Sequence, residues 1–535
     1  MVKVNLKNKL AFLNKSKAIN LENNILGLEE NINTNANWFQ SMEPVTYAKK
    51  NGKKLYKFKK IKINHKDTKN FKKLLFNDLK KQLDQYKKKI RQEFLRTSDG
   101  SLNVGLNVIL IDSMLIEIIN NTYQHIFRNI DFKLSIIAVG GYGRGELAPY
   151  SDLDLLFLIP DDLNKTETKN IEALIKLILY LLWDLGYTVG HSTRTILDCI
   201  KESKLDLTVA TSLLEKRFIA GNEQNFDLLN SKFNSFISNS KTLNFVEEKL
   251  KEADLRHKKF GGSRYVVEPN VKDGKGGLRD LHTLIWISKF AYKVDSISKL
   301  IKMGAFSKNE ALTFAEAQRF LLSVRCHLHY RAEREDDRLA MDAQLEIAKS
   351  MNFKNTITHK DVERFMKRYF LATKTVGNLT RIFCAAIETE FNKHFRLSFL
   401  NFKKSENVDP FSIESGRLYV KSKNILTENP VNIIKLFYIS HEKNIDIHPS
   451  TLRLMTSLTK LINSEVRYDF TANQMFLDIL TSQRDSTRTL RLMNESNVLG
   501  KFIPEFQKIV CLMQFDMYHS YTVDEHTIFT ISNLH

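Results

Sequence analysis

Cysteine is scarce in this sequence. Its 535 residues include four, Cys199, Cys326, Cys384 and Cys511, and no two of them form a Cys-x-x-Cys pair. This spacing argues against a zinc site built on paired cysteines and gives no disulfide framework. We expect all four to be core thiols of a protein from a reducing compartment.

Long apolar segments and the opening pattern of a secreted protein are also missing. The longest uninterrupted apolar run in the central region, residues 177–183, is far shorter than the roughly 18 residues that span a bilayer. The first residues place Lys and Asn where a signal peptide has its apolar stretch. We therefore predict a cytoplasmic protein with no membrane partner.

Acidic residues are fewer than basic residues, and most of the excess positive charge lies in one segment of the chain. Of the net charge of +20, residues 49–91 carry +15, because 18 Lys or Arg stand there against 3 Asp. Phe71, Leu75, Leu79 and Leu83 recur every fourth residue, which predicts one apolar stripe on a helix whose other faces are solvated. We interpret the segment as a lysine-rich surface helix, with a polyanion-binding arm as the alternative. A nucleic-acid partner is not expected.

The chain is too long for a single core, and its patterns change along its length. Segments of strand and helix length alternate up to about residue 245, and helical periodicity dominates beyond. We therefore predict an α+β fold followed by helical regions. The predicted divisions are a lysine-rich, mostly helical leader (1–95), an α+β domain (96–245), a helical companion domain (246–395), a polar connector (396–425) and a last helical domain (426–535).

The most informative stretch is GGYGRGELAPYSDLDLLFL, residues 140–158. Strands are predicted on both sides of the turn, at 134–139 and 152–159. Side chains alternate faces along a strand, so Asp152 and Asp154 point the same way and their carboxylates converge. Adjacent like charges are tolerated when cations lie between them. Mg²⁺ is the predicted ion, with Mn²⁺ as a substitute, because it takes oxygen ligands and leaves positions for phosphates.

The glycines of this stretch predict a turn that cradles phosphate. Gly140, Gly141 and Gly143 let the backbone turn tightly and bring N–H groups close to an anion, and Arg144 adds positive charge. The turn is not a Walker loop, because the Lys-Ser/Thr ending is missing. It is not a dinucleotide-binding fingerprint either, because a strand and not a long helix is predicted to follow it. The turn and the paired acids together indicate a site where metal ions act on a phosphate.

This stretch resembles the nucleotidyltransferase superfamily that includes DNA polymerase β, whose signature is a Gly-Gly/Ser turn followed by an Asp-x-Asp strand. Over residues 100–535 the chain is similar, more narrowly, to the bifunctional PII uridylyltransferase/uridylyl-removing enzymes of bacterial nitrogen control. The supporting stretches are VGHSTRT, DLTVATSLLEKR, VEPNVKDGKGGLRDLHTLIWI, DRLAMDAQLEIA and FDMYHSYTVDEHT.

The resemblance implies transfer of UMP from UTP to a tyrosine of the signalling protein PII, with Asp152 and Asp154 as the catalytic metal ligands. Many members of the superfamily add a third carboxylate from a neighbouring strand. VGHSTRT offers His191 and no acid, and Asp206 qualifies only if the chain returns to the sheet there. The third residue of the metal site is therefore left unassigned.

Further residues are predicted to bind the nucleotide. Ser151 would help to close the turn, and the loop KDGKGGLRD, which precedes an apolar helix, would suit phosphates at a helix N-terminus. An ordinary loop and helix start is the alternative for that segment. The predicted nucleotide-binding residues are Gly140, Gly141, Gly143, Arg144, Ser151, Lys275 and Arg279.

The last stretch resembles the opening of an HD phosphohydrolase domain, in which His526 matches the early metal-binding histidine. No His-Asp doublet follows it, so we expect an incomplete HD domain at 426–535 and a chain truncated at its C-terminus. Uridylyl removal and a response to glutamine are expected only in the full-length protein.

His327 and His329 lie near Cys326 and are residue types that bind metals. Their spacing places them on different faces of a helix, so we predict structural roles for them.

Two other functions remain open. The chain could transfer nucleotides to another protein or to RNA or DNA, which the lysine-rich segment favours, or it could be a catalytically silent regulator that binds polyanions. The intact Asp152 and Asp154 count against the silent regulator. Base preference cannot be read from ligands of phosphate and metal, because these do not touch the base.

Overall fold

The computed structural model describes residues 43–51, 58, 70–126, 133–294, 299, 302, 307–356, 359–396, 406–414, 416–515 and 520–533. The chain divides into two compact units, Met1–Ser240 with Ser288–Asp336 and Lys241–Ile287 with Asp337–His535. Most of the predicted leader, including the lysines of residues 52–57 and 59–69, lies outside the described residues.

Helices dominate both parts of the chain, and the strands are short. Up to residue 240 the elements are α1 (Pro44–Asn51), α2 (Phe71–Thr97), α3 (Gly100–Ile126), β1 (Ser135–Ala138), α4 (Gly140–Arg144), β2 (Leu153–Ile159), α5 (Lys165–Asp184), β3 (Val189–Thr195), α6 (Ile196–Leu205), α7 (Leu207–Leu214), β4 (Arg217–Gly221) and α8 (Glu223–Asn239). Beyond it they are α9 (Thr242–Lys259), α10 (Leu278–Tyr292), α11 (Lys308–Ala332), α12 (Met341–Ser350), α13 (Asp361–Arg396), β5 (Glu406–Val408), β6 (Phe411–Glu414), β7 (Arg417–Tyr419), α14 (Asn424–Glu428), α15 (Asn432–Glu442), β8 (Asp446–Ile447), α16 (Pro449–Leu458), a 3₁₀ turn (Thr459–Leu461), α17 (Ser464–Tyr468), α18 (Phe470–Leu480), α19 (Thr487–Glu495), α20 (Val498–Phe502), α21 (Pro504–Ile509) and α22 (Val523–Asn533).

The first unit is built around a mixed four-stranded sheet in the order β3-β2-β1-β4. β1 is antiparallel to both β2 and β4, whereas β2 is parallel to β3. Ile136 and Phe157 are fully buried in the sheet and share one apolar core with residues of α2, α3 and α5. The α+β prediction is confirmed. The edge strand β4 was not predicted, because five residues are too few to show a clear strand period.

Helix α2 carries the apolar stripe predicted from the lysine-rich segment. Phe71, Leu75, Leu79 and Leu83 are at most 2% exposed, while the lysines between them face solvent. Burying one face of an otherwise charged helix removes apolar area from water and leaves the charges hydrated. For this part of the segment, the prediction of a lysine-rich surface helix is confirmed.

Helix α3 is the one helix among the described residues that is long and apolar enough, by length and composition, to cross a membrane. In the structure 67% of its most apolar window is buried inside the protein. Leu110, Met114 and Ile118 belong to the core of the first unit. The apolar character of α3 therefore matches its place inside this core.

The second unit is mainly helical and has a small sheet in the order β5-β6-β7-β8. Leu418 of β7 and Phe437 of α15 are fully buried in its core. The structure differs here from the polar connector predicted at 396–425, because β5, β6 and β7 all lie in that range. Strands of three or four residues are too short for a reliable period. The units also differ from the predicted divisions, since residues 288–336 group with the first unit.

Candidate active site

The glycine-rich turn between β1 and β2 is a short helix, α4, rather than an open loop. Gly140, Gly141, Gly143 and Arg144 all lie within it. Gly140 has φ +59°, in the left-handed region that favours glycine, so the chain can turn sharply at the end of β1. The N–H of Val139 donates to the carbonyl oxygen of Asp154 at 3.0 Å, which fixes the start of the turn against β2.

The carboxylate of Asp154 lies between two glycines. Asp154 is paired with Gly190 in the register of β2 and β3. A Cβ atom built on Gly190 would lie 2.6 Å from Oδ1 of Asp154, and one built on Gly140 would lie 2.6 Å from Oδ2. Either methyl group would have to displace the carboxylate, so both positions keep Asp154 in place by carrying no side chain. The sequence prediction missed Gly190, although it considered the stretch VGHSTRT.

Asp152 and Ser151 complete the acidic end of β2. Asp152 is exposed and Asp154 is half-buried, and alternation along the extended chain directs the two side chains to the same face. The hydroxyl oxygen of Ser151 is buried without a hydrogen-bond partner among the described residues. Two carboxylates on one face with an unsatisfied hydroxyl beside them suit a divalent cation and an oxygen-rich ligand. The donor set therefore fits the predicted Mg²⁺.

Arg144 is engaged inside the protein. Its Nη1 donates to both carboxylate oxygens of Glu215 at 2.6 Å, and its Nε donates to Glu146 at 3.3 Å. The side chain of Glu215 is only 3% exposed, and the two carboxylates hold the pKa of Arg144 above its usual value despite the opposing effect of burial. The sequence prediction that Arg144 faces a triphosphate is not supported by this geometry. Its charge is instead needed to balance two buried carboxylates.

A second cluster, which is partly buried, attaches α4 to its surroundings. The hydroxyl of Tyr142 donates to Asp112 Oδ1 at 2.7 Å, and Nη1 of Arg217 donates to Asp112 Oδ2 at 2.7 Å. The guanidinium of Arg217 also lies over the ring of Tyr142, 5.2 Å from its centroid. Burial, followed by the charge of Asp112, raises the pKa of Tyr142 well above its ordinary value. The cluster joins α4 to α3 and β4, so the turn is held from two sides.

Neither Asp206 nor His191, the two residues considered for the third position of the metal site, is paired with Asp154 in the sheet. Asp206 is the N-cap of α7, where its Oδ1 accepts from the N–H of Thr208 at 2.6 Å. The chain returns to the sheet only at β4, which pairs with β1. His191 is exposed on β3 and stacks edge-on against Trp183. The third ligand stays unassigned.

The segment Cys326, His327 and His329 has structural contacts within the first unit. Cys326 is buried, and Nε2 of His327 lies 3.2 Å from Ser98 Oγ. Burial lowers the pKa of His327 to about 4. Nδ1 of His329 lies 2.5 Å from the carbonyl oxygen of Pro149, just before Ser151. The contacts of Cys326 and His327 agree with the structural roles predicted from the helical spacing.

The remaining predicted site residues belong to the second unit. Arg279 is held by Asp273, with Nε 3.3 Å from Oδ1, and lies over the ring of Trp286. Lys275 lines a cavity of that unit. His526 is exposed on α22. Roles for Lys275 and Arg279 at a triphosphate, and for His526 at a metal, stay predictions.

We predict that Gly190→Ala weakens divalent-metal binding about tenfold, equivalent to about 1.4 kcal/mol, because the new methyl group displaces the carboxylate of Asp154. Titration of the purified chain with Mn²⁺, followed by electron paramagnetic resonance, measures the affinity directly. Thr193→Ala, at an exposed position of the same strand, is the matched control and should leave it unchanged. Equal Mn²⁺ affinity in wild type and Gly190→Ala would show that Asp154 does not depend on this glycine.

Comparison with protein families gives three matches. Residues 120–219 match a nucleotidyltransferase domain, residues 244–384 match the GlnD PII-uridylyltransferase model, and residues 411–502 match the third domain of the uridylyltransferase GlnD. The first of these ranges contains α4, β2, β3 and the acidic pair. The other two fall, apart from residues 288–336, in the second unit.

Comparison with curated proteins gives relatives that share one description, bifunctional uridylyltransferase/uridylyl-removing enzyme. The chain is 43% identical to that of Azospirillum brasilense over 460 residues, which cover 85% of this chain and 49% of the relative. It is 43% identical to that of Rhodospirillum rubrum over 463 residues, with the same coverage. The protein from Novosphingobium aromaticivorans is 44% identical over 418 residues, covering 78% of this chain and 45% of its own. The chain thus spans about half the length of these relatives.

Proposed function

The chain belongs to the family of bifunctional uridylyltransferase/uridylyl-removing enzymes, and on that basis we propose that it transfers UMP from UTP to a tyrosine of the PII protein. The observation that carries the proposal is the position of Asp154, seated between Gly140 and Gly190 at the start of β2. This arrangement places a fixed carboxylate beside a turn whose backbone can approach a phosphate. The family matches supply the substrate class.

In the proposed reaction the tyrosine oxygen of PII forms a bond to the α-phosphorus of UTP, and the bond to the β-phosphate breaks. Pyrophosphate leaves, and the hydroxyl proton goes to solvent or to a nearby base. Divalent ions, when bound, would neutralise charge on the triphosphate and stabilise the leaving oxygen. Mg²⁺, with Mn²⁺ as a substitute, is our proposal for these ions.

The chain's own residues bind and orient the nucleotide. Asp152 and Asp154 hold the ions on one face of β2. Backbone N–H groups of Gly140 and Gly141, at the beginning of α4, are directed by the turn toward the phosphates. The hydroxyl of Ser151 can donate one hydrogen bond to a ligand oxygen, which would satisfy a group that lacks a partner among the described residues. The buried pair of Arg144 and Glu215 keeps the turn rigid.

Base choice and acceptor choice are tested in one experiment. The chain is incubated with Mg²⁺ and with one α-³²P-labelled nucleoside triphosphate at a time. Each reaction contains one of three acceptors, which are PII, a single-stranded RNA and a single-stranded DNA. We expect label only on PII and mainly from UTP. Label on RNA or DNA would favour the nucleic-acid alternative, and no label on any acceptor would favour the silent regulator.

We further propose that residues 426–535 supply part of a phosphohydrolase site, with His526 as one metal ligand. Uridylyl removal is named for the relatives, and a response to glutamine belongs to the same proposal. A cytoplasmic location also belongs to the proposal, because PII and UTP would have to be present in the same compartment.

A further inference from the structure

The second unit contains a cavity that is lined neither by the acidic pair, Asp152 and Asp154, nor by the glycine-rich turn. Three parts of the chain surround it, namely residues 261–265, helix α19, and Tyr521 with helix α22, and Lys275 closes one side. Its volume is about 190 Å³, which is more than ten times the roughly 10–15 Å³ that a single water requires. The cavity is therefore large enough for a small ligand.

Five of the twelve residues that line this cavity are charged, and the three cations outnumber the two carboxylates. Nη2 of Arg264 lies 3.3 Å from Glu495, and Nη2 of Arg491 lies 2.8 Å from Glu525. Glu495 also pairs with Arg381, whose Nη1 is 3.0 Å away. Both carboxylates of the wall are therefore already neutralised by arginines.

Lys275 is the cation of the wall that has no carboxylate in contact among the described residues. Within the described part of the chain, its Nζ donates to the carbonyl oxygen of Gly262, at 3.4 Å, in an exposed contact. Burial, followed by repulsion from Arg264, lowers the pKa of Lys275. A partly buried ammonium that contacts no carboxylate is unfavourable, although Glu495, Asp280 and Asp254 act on it from a greater distance. An anion in direct contact within the cavity would reduce that penalty.

We propose that this cavity binds a phosphate group, either free or as a small monoester, with Lys275 and the guanidinium groups of Arg264 and Arg491 as its donors. Two further donor atoms on lining residues, Arg491 Nε and Tyr265 Oη, are buried without a hydrogen-bond partner among the described residues. Arginine presents planar pairs of N–H groups to phosphate oxygens, and lysine adds a compact charge. Neither Asp152 nor Asp154 belongs to this proposed phosphate site.

Calorimetric titration of the chain with inorganic phosphate, and separately with AMP, tests this site. EDTA is present and ionic strength is constant, so that metal-dependent binding at Asp152 and Asp154 does not contribute. We expect wild type to bind at least one of the two probes. Binding of inorganic phosphate alone supports a free-phosphate site, and binding of AMP at least as strong supports a monoester site.

Three variants make the test specific. Lys275→Gln should weaken binding at least tenfold, whereas Lys349→Gln, at an exposed lysine of the same unit, should bind as wild type does. Asp154→Asn should also bind normally, which separates this site from the proposed transfer reaction. Circular dichroism checks that each variant is folded. The proposal is overturned if wild type binds neither probe, if Lys275→Gln binds unchanged, or if Asp154→Asn abolishes binding.

Discussion

Asp154→Asn and Asp152→Asn are each expected to lower the rate of uridylyl transfer at least about a hundredfold, a loss of about 3 kcal/mol or more of transition-state stabilisation. Each change removes one negative charge from the metal-binding face of β2 and alters the side-chain shape very little. Initial rates with saturating UTP and Mg²⁺, measured as label transferred to PII, give the effect. Thermal unfolding should be nearly unchanged.

The control for this prediction is Asp162→Asn. Asp162 is an exposed aspartate shortly after β2, so its replacement changes the net charge by the same amount. Its transfer rate should equal that of wild type. Wild-type turnover by Asp152→Asn or by Asp154→Asn would mean that the catalytic metals are held elsewhere.

Glu215→Gln is expected to destabilise the protein by about 3 kcal/mol, because it leaves the guanidinium of Arg144 buried with a weakened counter-charge. The value lies at the lower end for a broken buried ion pair, since Glu146 still contacts Arg144. Urea unfolding, monitored by circular dichroism, measures the change in the free energy of unfolding for the first transition that appears as urea increases. Glu172→Gln, at an exposed position of α5, should have little effect.

A double variant separates the charge effect from a simple loss of packing. In a Glu146→Gln background, which leaves no buried carboxylate without Arg144, Arg144→Met combined with Glu215→Met removes the remaining charges of the cluster. We expect this combination to be more stable than Glu215→Gln in the same background. If Glu215→Gln costs less than about 1 kcal/mol, the pair resembles an exposed salt bridge and does not hold the turn. Comparable losses in the single and double variants would point to packing rather than charge.

The sequence predicted the local features of the site and missed those that depend on distant contacts. The strand, the glycine turn and the acids of β2 were found because alternation and glycine content are properties of neighbouring residues. The partner of Arg144 was not found, because Glu215 is 71 positions away in the sequence and only the folded sheet brings the two together. The sequence alone does not distinguish two roles for such an arginine. It can contact a phosphate beside the turn, or it can neutralise buried carboxylates.

Gly190 illustrates the same limit at shorter range. Gly190 is a lone glycine near the start of β3, and a glycine inside a strand often marks a close approach of another group. What approaches it could be identified only from the register, in which Gly190 is opposite Asp154. The short strands β5 to β8 were missed for a different reason, because two to four residues do not establish a period.

The most direct test of the proposed function is the intact mass of PII after incubation with this chain, UTP and Mg²⁺, followed by peptide mapping. We predict a mass increase of one uridylyl group per modified PII subunit, located on a tyrosine, and no increase when Asp154→Asn replaces the wild-type chain. Unmodified PII after incubation with the wild-type chain, or equal modification by Asp154→Asn, would contradict the assignment.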